Sequence, residues 1–139
     1  MSEIIANTGL RRALLQTVAS PAQRLDYVVT VRRQLKLAAG PARLAIRYVP
    51  DALVLDQDAI AGYMHVLEAA PWDSLEDLAA TVLEDFSNEL VARWIEVGVS
   101  KTSQTGGDAV FDYAIVMEDR QPNWSNPHLM GRLKALFQE

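Results

Sequence analysis

The sequence has no cysteine among its 139 residues. That excludes disulfides, a thiolate nucleophile and any zinc site built on sulfur. Histidine is nearly as scarce, with only His65 and His128, so no His-rich metal centre and no metal site are expected. Basic residues are outnumbered, 13 against 18 acidic, for a net charge of −5. A nucleic-acid binder usually carries a basic patch, and no nucleic-acid partner is expected here. No apolar run reaches the about 18 residues of a membrane span, so no membrane partner is expected either. Met1 to Gly9 carries no positively charged region ahead of an apolar core, and no secretory signal is read there. The expectation is a cytoplasmic protein.

What is present is a chain that is 50% hydrophobic and 22% charged. Its length fits a single domain over 1–139. A chain of this size buries about 70% of its unfolded surface and needs no covalent staples. A short N-terminal segment, 1–24, precedes the main pattern, and a C-terminal helix of about 126–138 follows it. Within the first segment, Leu10, Leu14 and Val18 share one side of a short helix that Pro21 ends.

Asp26 to Lys36 alternates, with Tyr27, Val29, Val31 and Leu35 on one face, which reads as a strand. After Ala39-Gly40-Pro41, a second strand runs from Arg43 to Val49, and the short connection favours an antiparallel hairpin. Ile60, Tyr63, Met64 and Leu67 then take helical spacing, giving a helix over Gln57 to Glu68. A second helix carries the apolar stripe Leu75, Leu78, Ala79, Val82, Leu83, Phe86 and Leu90. Asp73 or Ser74 caps its start, with Glu76 or Asp77 three residues on. Period two returns in Trp94 to Val99 and in Ala109 to Glu118, separated by a polar loop, Lys101 to Asp108. Asn126-Pro127 has the form of a helix start, Asn at the cap and Pro at the first helical position.

The order is ββααββ: an α+β arrangement with an antiparallel four-stranded sheet and two long helices on one face. Such a sheet has two open edges, which must be managed. Several strands also carry apolar residues on both faces. A homo-oligomer that assembles through sheet edges is therefore expected.

Ile46-Arg47-Tyr48-Val49-Pro50-Asp51 and, beyond two helices, Glu76-Asp77 … Glu84-Asp85-Phe86 … Arg93-Trp94-Ile95-Glu96-Val97 carry a resemblance. Over roughly Gln34 to Val99 the chain resembles the NADPH-dependent 7-cyano-7-deazaguanine (preQ0) reductases of queuosine biosynthesis, within the tunnelling-fold (T-fold) superfamily. The resemblance implies a T-fold. It also implies that Glu76 sits where the family's glutamate anchors a purine or pterin ring. A carboxylate can accept two hydrogen bonds from adjacent ring N–H groups, strengthened by its charge. The plain alternative is that Glu76 only serves the start of its helix, and the two roles are compatible.

The family's catalytic parts do not carry over. The reductase forms a thioimide with a cysteine, and this chain has none; the matching region, near Arg33, offers no comparable nucleophile. Asp77 matches the family's proton donor but has no thiol to serve. Leu75 stands where the family has a histidine. Asp56-Gln57-Asp58-Ala59 replaces a cofactor-contacting Glu-Ser-Lys-Ser stretch, so no cofactor is expected. The catalytic residues are left unassigned, and the candidate ligand-binding residues are Glu76 and Asp77.

The other polar clusters have plain readings. Glu84, Asp85 and Glu89 read as a solvated acidic helix face. His65 and His128 read as solvated or interface residues. In Glu118 to Trp124, the aromatic reads as core cover and Arg120 as paired to a carboxylate. Two functions follow: a T-fold protein binding a purine- or pterin-like small molecule at a subunit interface, or an oligomeric scaffold or partner-binding protein that has lost the site.

Overall fold

The computed structural model describes residues 8–105 and 109–137. Its elements are α1 (Thr8–Ala13), β1 (Thr17–Ala19), β2 (Val29–Leu37), β3 (Gly40–Val49), β4 (Leu53–Leu55), α2 (Ile60–Ala69), α3 (Leu75–Leu90), β5 (Trp94–Thr105), β6 (Ala109–Arg120) and α4 (Pro127–Arg132). The fold is α+β. The main sheet has four antiparallel strands in the order β2-β3-β5-β6, and β1 pairs with β4 in a separate two-stranded ribbon.

The β2–β3 hairpin turns between Leu37 and Gly40. Gly40 has φ +123°, a region that costs glycine alone no Cβ clash. Register then fixes the two faces. Val29, Val31 and Leu35 align with Tyr48, Ile46 and Ala42, and Leu44, Ile46 and Tyr48 align with Val99, Val97 and Ile95. This set faces α2 and α3 and forms the core with Tyr63, Met64, Leu67, Leu78, Val82 and Phe86. Tyr63 and Phe86 meet edge to face at 5.6 Å between ring centroids.

The second helix forms where its stripe predicts. Ser74 is the cap, its Oγ accepting from the Asp77 N–H at 3.0 Å. Among the two candidate caps, Ser74 therefore holds the position and Asp73 does not. The helix ends at Val91, which lies in the left-handed region at φ 47° while 60% exposed.

One polar reading of this helix is overturned. Asp85 is not part of a solvated acidic face: it is fully buried. Its carboxylate accepts from Arg11 Nε at 2.6 Å and Nη2 at 3.0 Å, from Arg12 Nε at 2.9 Å and from the Tyr63 hydroxyl at 2.7 Å. A buried carboxylate is tolerated only with its charge and lone pairs matched. Burial, and then the Asp85 charge and hydrogen bond, push the Tyr63 phenol far above its usual range, so it stays a donor. The cluster ties α1 to α2 and α3.

Several boundaries also differ from expectation, α2 beginning at Ile60 rather than Gln57 and β2 at Val29 rather than Asp26. The N-terminal helix stops at Ala13, because Thr17, Val18 and Ala19 pair with Leu55, Val54 and Leu53. The polar stretch after Val99 is not all loop: β5 continues to Thr105 opposite Ala109. Pairing of β5 with β3 stops at Ser100, so from Lys101 onward the hairpin is a two-stranded arm. Residues 106–108 of the expected loop lie outside the described residues. Finally, α4 starts as expected, Asn126 Oδ1 accepting from the Leu129 N–H with Pro127 in the first turn. It ends at Arg132, and the chain continues extended from Leu133. Leu136 is then buried, at the face of the sheet opposite the helices.

Leu136 and Phe137 lie against that outer face because of a glycine. A Cβ at Gly98 would sit 2.5 Å from Leu136 Cδ2 and 2.8 Å from Phe137 Cε2. Asp26 pins the chain ahead of them, accepting from Arg93, Trp124 Nε1 and Asn126 Nδ2. Trp124 is thus half-buried, with its N–H held by Asp26, and Arg120 pairs with Glu118.

One open edge of the sheet is partly closed. In β2, the amides of alternate residues point away from β3. That of Lys36 donates to Glu68 Oε2 at 2.7 Å. This hydrogen bond lowers the Glu68 pKa, against its burial and with help from Arg33.

Candidate functional site

The segments Ile46 to Asp51 and Arg93 to Val97 meet in space. Strands β3 and β5 bring Arg47 opposite Glu96 and Tyr48 opposite Ile95. Arg47 Nε donates to Glu96 Oε1 at 2.6 Å, and the Arg93 N–H donates to the Val49 carbonyl at 2.9 Å. Arg93 Nη2 stands 3.4 Å from Asp51 Oδ1. The Tyr48 hydroxyl accepts from the Leu55 N–H at 3.0 Å. These residues therefore hold the two halves of the sheet together.

Glu76 and Asp77 occupy the first turn of α3. The approach is set by Trp72, whose indole N–H donates to the Leu67 carbonyl at 2.7 Å across the break between the helices. Leu75 and Leu78 pack inward, which turns Glu76 and Asp77 outward onto open surface. Negative charge at a helix N-terminus is favourable. The cap hydrogen bond uses only the Asp77 amide, so it leaves both side chains available.

Tyr113 on β6 reaches Glu76, its hydroxyl donating to Oε2 at 2.9 Å. That hydrogen bond and the Glu76 charge raise the phenol's pKa, so Tyr113 holds its proton at neutral pH. The other oxygen, Oε1, takes no hydrogen bond among the described residues. Tyr113 was within reach of the sequence pattern: period two in β6 puts it on the face of Ile115 and Met117, which pack on the core. The chemistry on offer is an exposed acceptor oxygen, a neighbouring carboxylate and an aromatic ring that is 42% exposed.

The remaining candidates do not converge on this point. Asp56 and Asp58 form a local turn, Asp58 N–H to Asp56 Oδ1 at 3.1 Å. Arg33 pairs with Glu68 at 3.4 Å. His65 is exposed, its Nδ1 3.7 Å from Glu68, and His128 is exposed. Among the described residues no group of three or more His, Asp or Glu side chains is placed to hold a metal. No described helix is long and apolar enough to cross a membrane. The sequence matches no family model and no curated protein.

Proposed function

We propose that this chain is a T-fold protein, similar to the preQ0 reductases, that binds a purine- or pterin-like ring through Glu76 and lacks nitrile reductase activity. Asp77 supplies a second polar contact. The observation that carries the reading is the open Oε1 of the Glu76 carboxylate at the start of the second helix. It sits in a fold whose four sheet strands run in sequential order, with both long helices inserted between the second and third. A planar ring with adjacent N–H donors matches such an acceptor. Absence of cysteine removes the thioimide route of the reductases.

The site stands on open surface in a single chain, so the proposal includes a second copy that encloses it. The edges β2 and β6 are the surfaces such an assembly would use. A cytoplasmic location completes the reading. A thermal-shift panel of guanine-like and pterin-like compounds tests it. The expected result is a saturable shift that Glu76→Gln removes, and a flat response across the panel would sink it.

A second reading is favoured by the Tyr113 hydrogen bond, which already occupies one Glu76 oxygen. On that reading the chain is an oligomeric scaffold or partner-binding protein. It predicts an assembly with no saturable shift for any compound of the panel, in the parent as in Glu76→Gln.

A further inference from the structure

The outer face of the sheet, opposite the helices, carries a second concavity. Register builds it. On β3, Ala45 lies between the long side chains of Arg43 and Arg47, and its partners are Arg32 on β2 and Gly98 on β5. Two small residues at the centre of a sheet face leave a hollow. Leu136 and Phe137 cover the Gly98 side. A cavity of about 480 Å3 remains on the other side, with Arg32, Gln34, Arg43, Ala45, Leu136 and Phe137 among its lining residues. That volume falls in the range of small-molecule sites, roughly 300–1,000 Å3.

The charged side chains among the described residues lining this cavity are all arginines. Among the described residues no acidic side chain lines it, although the chain carries a net charge of −5. Arg47, the nearest other cation on β3, is neutralised by Glu96. Arg32 is exposed and makes no hydrogen bond or ion pair with the described residues. Arg43 is oriented, with Nε on Ser100 Oγ at 3.2 Å and its guanidinium 5.2 Å from the centroid of Phe137. Gln34 stands directly opposite Arg43 across the strands. The floor and the covering wall are apolar: Ala45, Leu136 and an aromatic ring.

We propose that this cavity binds a small organic oxyanion, a carboxylate or phosphate ester, that has an aromatic body. The Arg32 fork takes the oxyanion in two parallel hydrogen bonds, the geometry that guanidinium shares with carboxylate and phosphate. Gln34 contributes an amide donor. The aromatic body lies on Ala45 against Leu136 and Phe137. The site is on the opposite side of the sheet from Glu76 and does not depend on the ring-binding reading above.

Isothermal titration calorimetry with the full chain tests this, using phenyl phosphate and benzoate as two arms, with phenol and inorganic phosphate as controls. Saturable binding of at least one aromatic oxyanion is expected, weaker at high salt and absent for phenol. Arg32→Gln is expected to weaken it about tenfold or more, the loss of a charge-assisted pair. Because Arg32 is exposed, the fold tolerates that change, which circular dichroism checks. Ala45→Leu fills the cavity and is expected to abolish binding, whereas Glu76→Gln leaves it unchanged. The arm that binds more tightly identifies the oxyanion. The proposal is overturned if neither aromatic compound saturates, if Arg32→Gln binds as the parent does, or if inorganic phosphate competes as well as phenyl phosphate.

Discussion

Replacing Asp85 by Asn is the sharpest test of how this fold is held. The substitution keeps shape and removes charge. Asp85 is fully buried and accepts four hydrogen bonds, two from Arg11, one from Arg12 and one from Tyr63. The side chains of Arg11 and Arg12 are 11% and 25% exposed. Without the carboxylate, the Arg11 charge loses its Asp85 partner in a poorly solvated place. Breaking a buried pair in this way costs about 3–5 kcal/mol. That is a large part of a total stability of about 5–15 kcal/mol. For a chain of this length it corresponds to a fall in Tm of roughly 10–15 °C. In urea the midpoint falls by about 2 M. Equilibrium urea denaturation followed by far-UV circular dichroism reads the effect. Replacing the buried partners together, Asp85→Leu with Arg11→Met and Tyr63→Phe, is expected to recover most of the loss, because no buried charge or hydroxyl is then left unpaired and the more exposed Arg12 can turn to solvent. A cost for Asp85→Asn below about 1 kcal/mol, the worth of an ordinary hydrogen bond, would refute the account.

Val91→Gly is expected to stabilise the chain by about 1 kcal/mol, because a β-branched residue in the left-handed region bears strain that glycine does not; the urea midpoint measures it. Gly98→Val forces Leu136 and Phe137 off the sheet, so hydrogen exchange is expected to accelerate at 133–137 while the main sheet stays protected. Asp26 has the opposing effects of burial, which raises its pKa, and hydrogen bonds from Asn126, Trp124 and Arg93, which prevail and lower it. A depressed carboxylate contributes stability above its unfolded pKa of about 3.9 and loses it as pH falls through the folded value. Asp26→Asn is therefore less stable than the parent at neutral pH, and the gap closes below about pH 4 in a pH series of thermal melts.

The parts of the fold that were legible in the sequence are those whose signal is local. The stripe from Leu75 to Leu90 fixes α3, and alternation fixes β2, β3 and the paired stretch of β5. Thr17 to Ala19 was illegible as a strand, because its partner, Leu53 to Leu55, lies far along the chain and each piece has only three residues. The polar Lys101 to Thr105 stretch forms strand all the same, since a two-stranded arm has no covering layer to demand apolar residues. Asp85 was misread through its neighbours Glu84 and Glu89. Its own spacing held the signal: it lies three residues after Val82 and seven after Leu78, on the buried side of the helix. The identity of its partners, Arg11 and Arg12, is a tertiary fact that no local pattern holds. At the candidate site, the position of Glu76 followed from the helix start, and the Tyr113 contact needed the sheet.

The bond between Glu68 and the Lys36 amide has a consequence for what this protein avoids. An exposed strand edge is a template that another chain can extend without limit, and that is how sheets polymerise. Along β2 the outward backbone groups of Thr30, Arg32 and Gln34 are offered, but the next one is already taken. An incoming strand would run out of partners there and meet a carboxylate instead. Glu68 thus works as a ruler. It cuts the run of outward amides on this edge short at Gln34.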